Sequence, residues 1–417
     1  MTATATPRRK RGHGSPAAAT ERLPPTATER RLVLALCAGQ ERRDRDRDDT
    51  ARLAAHADPA RLRGLLDHLR VTGVAGGRLL ELGVDVDPGL EQEIRDWMGR
   101  VRELGRTHEL TTLALLEALE GAGIPALALK GSVLARELYG DVGVRTAGDI
   151  DILVAPGDLT GAVEVVARMG WAHQAASARV TSLPVLHETL THLSLPRVEL
   201  HWRVHWYETR FAADALDRAQ RSGPHEPLVM TPADGLAALT LFYARDGFAG
   251  LRMPADAAAW CDARCQGLDV DGAIADTTGC YPELAAPLRV GTELLGALAG
   301  VPTSRRADAY RLRVAAELAT PFEEVTVAEA RAKVGMVDLL LAPPRGARAA
   351  LRRERQKVPA GLERSLTCRD GLPAYRARTE HVLRLARRWA LATTPAAVRA
   401  RHDVNGAGVA VAERAAA

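Results

Sequence analysis

The stretch Gly148-Asp149-Ile150-Asp151-Ile152-Leu153-Val154 alternates acidic with branched apolar residues and then runs into an apolar end. Side chains along a strand point to opposite faces in turn, so Asp149 and Asp151 share one face while Ile150 and Ile152 bury on the other. Two carboxylates this close repel each other. Unless cations or donors lie between them, one is driven toward protonation. A pair of Mg2+ ions removes the conflict, because hard cations favour carboxylate and phosphate oxygens. An exposed edge strand with two solvated acids accounts for the same letters, so the surroundings have to separate the two readings.

Upstream, Lys130-Gly131-Ser132 stands between a short apolar run at 126–129 and a helix expected from Ser132 to Tyr139, which Gly140 ends. Glycine lets backbone approach a phosphate closely. Helix N–H groups and a serine hydroxyl supply donors, and Lys130 a point charge. An ordinary strand-to-helix turn with Ser132 as its cap is the alternative. Downstream, Val198-Glu199-Leu200-His201-Trp202 places Glu199 and His201 on one face of another strand. A third carboxylate beside the first two is what a two-metal site requires, since one ion needs a further anionic ligand. Glu199 is otherwise a rim acid paired with an arginine. His201 either supports the metal site from behind or is structural.

These residues occur in the order Leu129-Lys130-Gly131-Ser132, Leu138-Tyr139-Gly140, Arg145, the Asp149–Val154 strand, Gly170-Trp171 and the segment around Glu199. The ordered set resembles the bacterial "uncharacterised nucleotidyltransferase" family of the DNA polymerase β-like superfamily, over roughly residues 105–265. The resemblance implies an α+β fold: a polymerase-β-like core of mixed sheet flanked by helices, with helical N- and C-terminal regions. It also implies that Gly131 and Ser132 meet nucleotide phosphates, that Asp149 and Asp151 hold two Mg2+ ions, and that Glu199 is the third carboxylate. Arg145 either contacts phosphate or braces the loop before the strand. Two departures are visible: Lys130 stands where the superfamily has a small residue, and the interval from Ser132 to Asp149 is long. Related chains also carry histidines near the position of Leu241, where this one has Tyr243-Ala244-Arg245-Asp246.

The implied reaction moves a nucleoside monophosphate from an NTP, ATP first among them, to a hydroxyl or similar acceptor on a small molecule or peptide. Alternatives are a non-catalytic nucleotide- or partner-binding scaffold on the same fold, and nucleotidylation of a protein or tRNA. The charge distribution bears on this choice. Residues 1–50 carry eleven basic and seven acidic side chains, which accounts for the whole net charge of +4 and leaves 45 of each sign in the remainder. A neutral body offers no general footprint for nucleic acid.

Organisation along the chain follows from periodicity. A basic, largely disordered tail is expected over 1–50, with helices over 51–122. Within the latter, Leu62, Leu65, Leu66 and Leu69 form one stripe and Leu110, Leu113, Leu116 and Leu119 another. The α/β core spans 123–230, including paired strands at 191–195 and 198–202 joined by a turn at Pro196. Helices follow over 231–394, with a basic stretch at 345–357, and 395–417 frays. No run of about 18 uncharged apolar residues suggests a membrane span. The N-terminus has no secretory pattern, so a cytoplasmic location is expected. Walker-type and dinucleotide-binding glycine loops are missing; His201 and His205 lack the glutamate of the zinc-protease motif, since Trp202 follows His201, and His192 lies one residue too far from His187 for it. Cys261, Cys265 and Cys280 lack a fourth zinc ligand, so free thiols are expected.

Overall fold

The computed structural model describes residues 25–173 and 185–307, apart from Tyr207, Ser222, Pro224 and His225. The expected tail before residue 25, the helices and basic stretch expected beyond 307, and the frayed end therefore lie outside the described residues. Six helices come first: α1 (Ala27–Cys37), α2 (Gln40–Arg45), α3 (Arg47–His56), α4 (Pro59–His68), α5 (Thr72–Glu81) and α6 (Pro88–Gly121). The core then runs β1 (Ala126–Ala128), α7 (Ser132–Tyr139), β2 (Asp149–Val154), α8 (Leu159–Arg168), β3 (Ala172–His173), β4 (His187–Thr191), β5 (Arg197–His201) and α9 (Phe211–Asp217). Helices α10 (Pro232–Arg245), α11 (Arg252–Arg264), α12 (Val270–Cys280) and α13 (Ala285–Ala299) complete the described chain. None of the described helices is long and apolar enough to cross a membrane.

The strands form one mixed sheet in the order β1-β2-β5-β4-β3. Only β2 and β5 pair in parallel, with Asp151 opposite Glu199 and Asp149 opposite Arg197. The other three pairings are antiparallel. One face of the sheet buries Ile150, Ile152, Val154, Leu190, Val198 and Leu200 against Leu115, Leu116 and Leu119 of α6 and Leu159, Val165 and Val166 of α8. On the opposite face, Leu127, Leu129 and Leu153 join a larger core built with α1, α4, α5 and α9 to α13. The face that carries the acids is therefore the one turned toward the helical C-terminal part. This is the α+β architecture implied by the resemblance.

Three expectations need correction. Residues 27–50 are not tail: they enter helices α1 to α3, and Leu32, Val33 and Leu36 are buried. A capping box starts α1, with Thr26 Oγ1 accepting from Thr28 N at 3.2 Å and Glu29 accepting from Thr26 N at 2.7 Å. The surrounding arginines masked that apolar stripe. Second, Leu110 is 68% exposed and Leu113 is also exposed. The buried seam of α6 instead runs through Val101, Gly105, Thr112, Leu115, Leu116 and Leu119, which puts Leu110 on the far side of the helix. Third, β4 is His187–Thr191 rather than 191–195, and residues 192–196 form the connection to β5. The imidazole of His192 accepts from the Ser194 and Leu195 N–H groups at 3.2 and 3.1 Å, which turns the chain there. Cys261 and Cys265 are free and buried, and Cys280 is free and exposed.

Candidate active site

Parallel pairing of β2 with β5 brings together three acids that lie far apart in the chain. Asp149, Asp151 and Glu199 each offer a carboxylate oxygen, and these oxygens lie within 4.8 Å of one another. Glu199 thus stands on the same face as the aspartates, as the alternation around each strand requires.

Cationic side chains surround the acids. Lys130 Nζ lies 3.1 Å from Asp151 Oδ1, and His201 Nε2 lies 2.9 Å from the same oxygen. The Arg197 guanidinium reaches Asp149 Oδ2 at 3.1 Å and Glu199 Oε1 at 3.3 Å. Burial raises the cost of charging Asp151, which is 1% exposed, but the His201 hydrogen bond and the Lys130 ammonium hold its carboxyl well below the usual carboxylate range. Burial likewise opposes ionisation of Glu199, and the hydrogen bond from His201 offsets it, so that carboxyl also lies low. The pKa of His187 is also lowered, to about 4, by burial and by the neighbouring His201, which for an imidazole favours the neutral form.

The remaining oxygen of Asp151, Oδ2, is buried and has no hydrogen-bond partner among the described residues. A buried ionised oxygen left unpaired is costly, and a cation is the simplest group to satisfy it. The donor set agrees: three carboxylates are hard ligands of the kind that hold Mg2+ or Mn2+. By both tests the residues fit divalent cations.

The turn before α7 is built as expected, with one change. Gly131, not Ser132, is the N-cap, at φ 95° and ψ −150°. That region is open essentially to glycine alone. A Cβ there would meet nothing closer than Asp149 O at 3.9 Å, so the constraint is backbone conformation and not space. Gly131→Ala is therefore expected to lower stability by about 1–3 kcal/mol, measured by urea denaturation, with no steric clash to repack. An unchanged midpoint would show that the turn tolerates another conformation. Ser132 Oγ is buried without a hydrogen-bond partner among the described residues, so it does not cap α7 and is available as a donor.

Arg145 is engaged within the protein. Its side chain is buried, with Nε 2.8 Å from Asp256 Oδ2, and Tyr139 donates to Asp256 Oδ1 at 3.0 Å. Lys130 pairs with a carboxylate of the site and lies 5.7 Å from the Phe242 ring centroid, over which Arg245 also stacks at 4.7 Å. Helix α10 therefore sets an arginine near the site. Sequence reasoning missed two neighbours of the acids. Arg197 immediately precedes the recognised segment, and His187 occupies a strand that was placed too late in the chain. The signal available for His187 was the alternation His187-Glu188-Thr189-Leu190-Thr191 itself.

Comparison with curated proteins finds no match. A family described as "uncharacterised nucleotidyltransferase" is matched over residues 55–296, more than half of the chain, and the match takes in the sheet, the glycine turn and all three acids. With these elements inside the matched span, the chain belongs to the uncharacterised nucleotidyltransferase family.

Proposed function

We propose that this chain is a cytoplasmic, Mg2+-dependent enzyme that moves a nucleoside monophosphate from an NTP, ATP in the first instance, to a hydroxyl or similar group on a small molecule or peptide, releasing pyrophosphate. The observation that carries the reading is the convergence of Asp149, Asp151 and Glu199 beside the Gly131 turn. Asp149, Asp151 and Glu199 would hold two metal ions, with Glu199 as the third carboxylate of the set. When bound, the ions supply charge neutralisation at the triphosphate and lower the pKa of the acceptor hydroxyl. The chain's own groups do the positioning. The first N–H groups of α7 have no intrahelical acceptors and point out of its N-terminus, toward which a phosphate is drawn. Gly131 leaves room for that approach, and the unpaired Ser132 hydroxyl adds a donor. Lys130 holds Asp151 in place from the phosphate side. Arg197, 45% exposed on a long stem, is free to leave the carboxylates for the triphosphate once cations neutralise them.

The test follows the label. Protein incubated with Mg2+ and cell extract is expected to move phosphate from α-labelled ATP, and none from γ-labelled ATP, into a small-molecule or peptide product, with pyrophosphate released. Transfer of the γ label would make the chain a kinase. Mg-ATP binding by calorimetry without any turnover would make it a scaffold.

A further inference from the structure

Glu199 belongs to a second set of converging ligand atoms. His187 Nδ1 and His201 Nε2 each stand 3.5 Å from Glu199 Oε2, and the ligand atoms of the three residues lie within 4.8 Å of one another. The antiparallel register makes this arrangement: His187 on β4 is directly opposite His201 on β5, and Glu199 lies two residues back on the same face. The two rings meet edge to face with centroids 4.7 Å apart.

The hydrogen bonds around the histidines show which nitrogens are turned inward. His201 is fully buried, and its Nδ1 lies 3.3 Å from the carbonyl oxygen of Arg203. Both ring nitrogens face acceptors: Nδ1 the Arg203 carbonyl, and Nε2 the oxygens Asp151 Oδ1 and Glu199 Oε2, so Nε2 is the nitrogen on the carboxylate side that a cation would take over. Histidines that bind metals are oriented in this way, with one ring N–H donated to a backbone carbonyl and the other nitrogen presented to the ion. On the other side, His187 Nδ1 is buried and has no hydrogen-bond partner among the described residues. Ligands about 2.1 Å from a tetrahedral ion are about 3.4 Å apart, which matches both 3.5 Å separations.

We infer that His187, Glu199 and His201 form a site for a first-row transition metal, Zn2+ foremost, which shares Glu199 with the all-carboxylate set. Two imidazoles and one carboxylate suit zinc, cobalt or manganese, whereas Mg2+ favours oxygen alone. The two sets thus select different ions on one face of the sheet. Because Glu199 is common to both, an ion on the histidine side engages the same carboxylate that completes the magnesium set. The inference concerns binding and stands independently of the transfer reaction.

The experiment titrates chelator-treated full-length protein with Co2+, followed by calorimetry and by visible absorption, which reports nitrogen ligation and low coordination number. Wild type is expected to bind one equivalent with a four-coordinate spectrum. His187→Ala and His187→Gln are each expected to weaken Co2+ by at least about tenfold, the least that disturbing a metal's immediate surroundings costs. Both variants replace a partly exposed residue, and circular dichroism checks that they fold. Asp149→Asn is expected to change Co2+ affinity by less than about threefold, since Asp149 belongs only to the carboxylate set. Equal Co2+ affinity in wild type and both His187 variants overturns the site, as does loss of Co2+ in Asp149→Asn alone. Histidine-dependent Co2+ binding in a protein that transfers no nucleotide sinks the proposed function and leaves this site standing.

Discussion

Asp151→Asn is expected to reduce α-label transfer by about a thousandfold or more while leaving the chain folded. Asparagine keeps the shape but removes the charge, and its amide nitrogen is no metal ligand. Asp151 is the most buried of the three acids and the one with an oxygen that no group among the described residues satisfies. Losing it at the point where cations gather should cost about 4 kcal/mol of transition-state stabilisation, and each 1.36 kcal/mol is a factor of ten in rate. NTP binding should fall far less, because the Gly131 turn and the α7 N-terminus are untouched. A rate loss with little change in KM is therefore the signature, and full transfer by the variant would rule the mechanism out. Stability should respond mainly at low pH. The folded-state pKa of Asp151 lies below its ordinary value near 3.8. Its contribution is therefore present above that value and is lost as the pH falls toward the depressed one. Thermal melts from pH 6 downward should fall less steeply in Asp151→Asn than in wild type.

What the amino-acid sequence revealed of this site, and what it hid, follows from how local each signal is. Strand β2 was legible to the residue because acid and apolar positions alternate across its whole length and glycine precedes it. Helix α7 was legible because glycines flank it and each adopts a positive φ. The pairing of β2 with β5 spans about fifty residues, and nothing local encodes it. That Glu199 lies opposite Asp151 followed from the family resemblance and not from periodicity. Strand β4 slipped because His192, Ser194 and Leu195 continue its polar and apolar texture, while a side-chain-to-backbone turn at His192 ends the pairing. That slip concealed His187. Helix α1 was hidden by composition: a charge excess describes the average of a segment, and four apolar positions in the right period outweigh it once a partner helix covers them. Leu110 and Leu113 show the converse, apolar residues at plausible spacing on a face that is exposed among the described residues.

Breaking the buried pair between Arg145 and Asp256 is expected to have the largest effect on stability. Both side chains are almost wholly shielded, 3% and 0% exposed, and the carboxylate holds Arg145 Nε through one oxygen and the Tyr139 hydroxyl through the other. Arg145→Met strands a charged carboxylate in the interior with one neutral donor. Removing one partner of such a pair costs about 3–5 kcal/mol. In a domain of this size that corresponds to a fall of roughly 6–20 °C in Tm. The double variant Arg145→Met/Asp256→Leu should recover most of the loss, because a well-packed apolar pair replaces a buried ion pair at little net cost. The same pair of variants separates the two roles open to Arg145. As a brace, it ties α11 to the turn that feeds Asp149 into β2. The double variant should then regain both the melting temperature and the Mg-ATP affinity. As a phosphate ligand, Arg145 would be missed in both variants. The double variant would regain its melting temperature but remain at least about tenfold weaker for Mg-ATP, the loss of roughly one charge-assisted hydrogen bond. Recovery of affinity together with stability is the expected result, because the guanidinium is already engaged by Asp256 and has almost no surface left for a nucleotide.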